Sequence, residues 1–232
     1  MNYKKGYLYR YVVLGIVLFI AWYWMEYPFI VYRDTQDILP LLMGTHGGYG
    51  YYLIIASVLM TINIFFVDMD IDLFDLKNIC RHTREDYLKN QFKRTVVCTF
   101  MNTLCYVTIQ FVCSIFFSGV DSIKIHKLYI VFPLYFISVY LVMLFGATLF
   151  LLIYAINKNR YFSAVIVVAY NIFIAFYGKS GWMYGNLTIE DKIVTGESVS
   201  YISWTVYLLI NILSVMLVYT ILEEIYRRKD IL

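Results

Sequence analysis

Charge is scarce in this chain of 232 residues: 15% are Asp, Glu, Lys or Arg, and none lies in the middle of a long apolar run. So few charges, with 61% hydrophobic residues and a mean hydropathy of +0.68, exclude a water-facing globular surface. Ion- and proton-coupled carriers place ionisable groups at membrane depth, so their lack argues against that class. No GxxxxGK[ST] occurs, so this chain does not cradle nucleotide phosphates in the Walker manner. His46, His82 and His126 have no HxxxH or HExxH partner, and Cys80, Cys98, Cys105 and Cys113 form no CxxC, so neither a metal centre nor a disulfide framework is indicated.

What is present is a series of apolar runs. They lie at 11–32, 47–67, 95–120, 128–157, 161–178 and 198–222, each close to or above the length that crosses the hydrocarbon core as a helix. No alternation runs through them, which excludes a β-barrel reading. The expectation is an all-α polytopic membrane protein: one transmembrane domain over 1–232, with six spans. Lys4, Lys5 and Arg10 before the first run resemble the opening of a signal peptide. That run reaches Trp22, Tyr23, Trp24 and Met25 rather than a small-residue cleavage site, so it reads as an uncleaved span.

Orientation is set by the basic residues, which are retained in the cytosol. Lys4, Lys5 and Arg10, then Lys77, Arg81, Arg84, Lys89, Lys93 and Arg94, then Lys158 and Arg160, then Arg227, Arg228 and Lys229 occupy alternate connections and make fourteen of the nineteen. Arg33, Lys124, Lys127, Lys179 and Lys192 remain for the other side. Both termini are therefore expected inside. On the outer side, Asn186-Leu187-Thr188 matches the N-glycosylation pattern, a short match without functional weight.

The longest polar stretch, 68–94, is expected to be a cytosolic helical connection between spans two and three. Acids gather at its start (Asp70, Asp72, Asp75) and bases at its end, as suits a helix dipole. Leu73, Leu76 and Cys80 keep helical spacing. Thr83 before Arg84-Glu85-Asp86 reads as an N-cap from which a second helix, carrying Tyr87, Leu88 and Phe92, runs into span three. The connection is either an amphipathic element on anionic headgroups or a docking element for a cytosolic partner.

Here the chain resembles the permease subunits of bacterial type 2 ATP-binding-cassette exporters, especially the short ones that move peptides or antibiotics. The resemblance rests on Asp70-Ile71-Asp72-Leu73-Phe74-Asp75, on Arg81-His82-Thr83-Arg84 and on the basic stretch 89–94, within a six-span, both-ends-inside layout. It implies a coupling helix in which Leu73, Phe74, Leu76, Ile79 and Arg81 dock on a separate cytosolic ATPase. That partner would bind ATP and Mg, and this chain would hold no cofactor. It also implies a second permease subunit, identical or similar, an amphipathic or hydrophobic substrate such as a peptide toxin or antimicrobial peptide, and the bacterial plasma membrane. Residues 1–10 form only a stub of the interface helix that the family places before span one. Residues 179–197 look too polar for its deep outer hairpin.

Glu223-Glu224-Ile225-Tyr226-Arg227-Arg228 also fits the EExxxR pattern of CAAX-type intramembrane proteases. That chemistry needs histidines on later helices, whereas the arginines are succeeded by Lys229, Asp230, Ile231 and Leu232, so the expected role is a basic anchor with Glu223–Arg227 or Glu224–Arg228 pairing. Mid-span polarity comes from uncharged Asn63, Asn102, Gln110, Asn171 and Asn211. These are expected to hydrogen-bond between helices first and to line a pathway second. A non-transporting immunity or accessory protein that binds such a peptide is the alternative function.

Overall fold

The computed structural model describes residues 3–32, 52–72, 84–118, 124, 128–177, 184–187 and 200–228. Among the described residues there is no strand, and six long helices account for nearly all of them. They are α1 (Tyr3–Tyr32), α2, α3 (Arg84–Ser118), α4 (Leu128–Asn157), α5 (Arg160–Tyr177) and α6 (Tyr201–Arg228). Helix α2 is segmented: Tyr52–Ile54 and Met60–Asp72 are α-helical, and Ile55–Leu59 between them forms a wider π-helical turn. Apolar runs adopt helices because a helix satisfies its own backbone groups where no water can do so.

Among the described residues, three helices are long and apolar enough to cross a membrane, at Asp86–Cys113, Tyr129–Asn157 and Tyr201–Arg227, which marks the chain as a membrane protein. Tyr9–Trp24 and Arg160–Phe176 are shorter apolar helices. The acids at the end of α2 shorten its charge-free length. Residues 68–72 and 84–94, read from the sequence as part of the connection, continue α2 and α3 as unbroken helix.

Helix α4 is the centre. It touches α2, α3, α5 and α6, and 72% of its apolar stretch is buried inside the protein, against 28% for α6. Every residue over 141–148 is buried, the pattern of a helix covered on all sides. Close packing there depends on Gly146: a Cβ at this position would overlap the Met60 thioether and come 3.4 Å from Asn171 Nδ2. Gly146 thus lets α2, α4 and α5 meet at one point. The π-helical turn, with Ile55, Ala56 and Leu59 buried, packs beside this crossing against α5.

Helices α1 and α6 have buried and open faces. Leu14, Leu18 and Trp22 turn inward at four-residue spacing, while Val12, Ile16, Phe19 and Ile20 are exposed. Likewise Asn211, Val215, Val218 and Leu222 of α6 are buried, and Leu209, Leu213, Met216 and Leu217 are open. Apolar surface this extensive is suited to hydrocarbon rather than water.

Local chemistry sets the short α4–α5 connection. Lys158 has a left-handed φ of 56° and its N–H donates to the Tyr154 carbonyl at 2.9 Å, ending α4. Asn159 Oδ1 then accepts from the Phe162 N–H at 3.1 Å, capping α5. Asn157 Oδ1 accepts from the Asn159 N–H and the Ser163 hydroxyl, fastening the two ends together.

Candidate functional site

A stripe of polar side chains runs along the inward face of α3. Gln91, Thr95, Thr99, Asn102, Thr103, Tyr106 and Gln110 recur at helical spacing, and all are buried. From Gln91 to Gln110 the helical rise amounts to about 28 Å, close to the thickness of a bilayer's hydrocarbon core. The α3 face therefore carries a polar seam over nearly the depth of a membrane.

Asn63 of α2 ties its middle together. Its Nδ2 donates to Thr99 Oγ1 at 3.3 Å and to the Met143 carbonyl of α4 at 3.2 Å, while its Oδ1 accepts from Asn102 Nδ2 at 2.9 Å. Asn102 Nδ2 also lies 3.8 Å from Cys98 Sγ. One turn beyond Asn102, the Tyr106 and Tyr135 hydroxyls meet at 3.1 Å and join α3 to α4. Hydrogen bonds between membrane helices contribute about 0.6 to 2 kcal/mol each. Among the described residues, Gln91 Oε1, Asn102 Oδ1 and Thr103 Oγ1 have no hydrogen-bond partner. The seam's amides and hydroxyls can hold a ligand by hydrogen bonds, but they bring neither a nucleophile–base pair nor a charge.

Of the five polar residues marked in the sequence, Asn63 and Asn102 form this junction, and Gln110 lies on the same face two turns further along. Asn171 and Asn211 are buried on α5 and α6. Asn171 Nδ2 donates to the Val167 carbonyl of its own helix at 2.8 Å. Gln91 falls in the stretch read from the sequence as connection, and Thr95, Thr99, Thr103 and Tyr106 escape a reading that considers mid-span amides alone. Their helical spacing from Asn102 and Gln110 is the signal that finds them.

The seam ends at a charged cluster. Arg10 Nη1 of α1 lies 3.5 Å from Asp70 Oδ1, and Arg160 Nε of α5 lies 3.7 Å from Asp68 Oδ1. Arg160 also stands over the Tyr154 ring, 5.7 Å from its centre. On the other side Tyr87 approaches Tyr226, Phe92 packs on Tyr219 at 4.4 Å, and Arg227 pairs with Glu223 at 3.0 Å. Between α2 and α3 is a cavity of about 20 Å³ lined by Val67, Asp70, Tyr87, Gln91, Arg94, Thr95 and Cys98. A space of that size holds no more than a water molecule.

Near the start of α6, residues 184–187 are buried, and Gly185 stands so close to Tyr207 that a Cβ would come within 3.0 Å of its ring. Tyr207 is almost two turns into α6, so this short piece enters the bundle. Of the segment 179–197 only these four residues are described; Tyr184, Gly185, Asn186 and Leu187 carry no charge to desolvate. Burial pushes the Tyr184 hydroxyl pKa up. Asn186, fully buried, is inaccessible to glycosylation in this arrangement.

Leu73, Phe74, Leu76, Ile79 and Arg81, the expected docking residues, lie outside the described residues, as do the three histidines and Cys80. Lys89 and Lys93 on the adjoining turns of α3 are exposed. Among the described residues, no three His, Cys, Asp or Glu side chains converge on a metal-sized site. Comparison with protein-family models, curated proteins and solved structures yields no match.

Proposed function

We propose that this chain is the transmembrane subunit of an ATP-driven exporter in a bacterial plasma membrane, with six spans, both termini inside and a coupling segment between α2 and α3. The observation that carries the reading is the charged end of the bundle. Arg10, Asp68, Asp70, Arg160, Glu223 and Arg227 come from four helices whose basic flanks the sequence assigns to the cytosol. Their ion pairs and the Tyr87–Tyr226 contact bring these ends together, which is what a common inner face requires. Helix α2 ends at residue 72 and α3 begins at residue 84, on either side of the segment that holds Leu73, Phe74, Leu76, Ile79 and Arg81, the residues that would dock on a cytosolic ATPase.

The cavity of about 20 Å³ is far too small for a peptide, and the α3 seam is sealed by side-chain packing. An amphipathic or hydrophobic substrate would therefore move along a surface shared with a second permease subunit. The same sealed interior also favours the second reading, an immunity or accessory protein that binds a peptide without transporting it. Affinity purification from the native membrane separates the two. Recovery of a nucleotide-binding subunit in stoichiometric amount, with ATP turnover found only in the joined complex, supports the exporter; its absence from gently solubilised material favours the accessory protein.

A further inference from the structure

We propose that Asp68 and Asp70, paired with Arg160 and Arg10, form a two-armed electrostatic latch that closes the charged end of the bundle over Cys98. The aspartates are two residues apart, about 200° around the helix, so they point to opposite sides of α2. One reaches the first residue of α5 and the other reaches α1. The two arms therefore hold the end of α2 between two neighbours rather than against one.

Each arm is held against local opposition. Carboxylates at the C-terminal end of α2 are disfavoured by that helix's dipole, and Arg160 at the N-terminal end of α5 is disfavoured by its own. Each of these charges is misplaced for its own helix and compensated by its neighbour. The pairs lie at 3.5 and 3.7 Å between partly exposed side chains, a class that contributes little individually. Such a latch is shut but easily released. Beneath it, Cys98 is almost wholly buried, lines the cavity with Asp70 and stands one turn from Asn102. Movement of the α2 end would open this cavity and the first part of the seam.

The latch does not depend on the transport reading, and its test needs this chain alone. Cys80→Ser, Cys105→Ala and Cys113→Ala leave Cys98 as the remaining thiol, whose modification by N-ethylmaleimide is tracked in lipid nanodiscs. Arg10→Gln with Arg160→Gln should speed labelling roughly tenfold, corresponding to about 1.4 kcal/mol of lost closing free energy. The exchange Arg10→Asp with Asp70→Arg should bring the rate back toward that of the unexchanged chain. If the doubly neutralised variant does not fold, about 1 M salt applied to the chain with both arginines should speed labelling by screening these partly exposed pairs. Unchanged Cys98 labelling on neutralisation, or on salt addition where that arm is needed, would overturn the latch. So would an exchanged pair that labels as fast as the neutralised variant.

Discussion

Asn63 and Asn102 face each other across α2 and α3, amide to amide at 2.9 Å, and Asn63 simultaneously reaches the Met143 carbonyl of α4. One side chain thus fixes the relative height of three helices. Because their neighbours are buried, loss of either amide leaves a polar group with no water to replace it. Asn63→Leu and Asn102→Leu should each cost about 1 to 2 kcal/mol. The double variant should cost less than the sum, because both changes remove the same bond. Reversible unfolding in mixed micelles measures this, and strict additivity would refute direct coupling.

Gly146 governs the crossing of α4 with Met60 and Asn171. Gly146→Leu should destabilise by about 1 to 3 kcal/mol through overpacking, and Met60→Ala should recover part of the loss by making room. Melting temperatures of the single and double variants decide it. No recovery would place the clash elsewhere.

Orientation is tested with single cysteines. Those introduced at Gly6, Lys158 and Asp230 should be shielded from an impermeant thiol reagent in intact cells, and one at Asp37 should react. Reaction at position 158 from outside would undo the placement of α4 and α5, and with it the common inner face.

For the docking segment, Phe74→Ala should weaken ATPase association by about 1 to 4 kcal/mol, as expected for a buried aromatic anchor. Lys89→Gln or Lys93→Gln should have much less effect, since both side chains are exposed on α3. A segment lying on headgroups predicts the reverse order, with about 1 kcal/mol per basic residue. Retention of the ATPase by washed membranes distinguishes them, and full retention with Phe74→Ala and Leu76→Ala together would remove the docking role.

Much of this architecture is legible in the sequence, for physical reasons that differ between elements. Lys127 and Lys158 bracket an uninterrupted apolar run, and α4 occupies Leu128–Asn157 as that run predicts. Helix α3 begins earlier than its apolar run because charge on one face does not end a helix: Leu88 and Phe92 bury the other face of its first turns. The Glu223–Arg227 pair is expected from i,i+4 spacing. Asn102 and Gln110 share a face by spacing alone, but the opposition of Asn63 and Asn102 depends on the height of α2 against α3. That height depends on how α2, α3 and α4 pack together, which no local pattern records. Burial of residues 184–187 is hidden for a different reason: Lys179, Glu190, Asp191 and Lys192 dominate the composition of the segment around an uncharged centre.

Residues 141–148 of α4 meet other protein on every side, so the finished structure exerts no solvent-driven demand that they be greasy. Their apolarity belongs to an earlier moment in the life of the chain. A helix released into the bilayer before its neighbours must first be soluble in lipid, and only afterwards does it become an interior. Thr148 reconciles the two by donating its hydroxyl to the Leu144 carbonyl at 2.7 Å, concealing its polarity within its own helix. The central helix is thus constrained during biogenesis by an environment that it no longer touches once its neighbours have assembled around it.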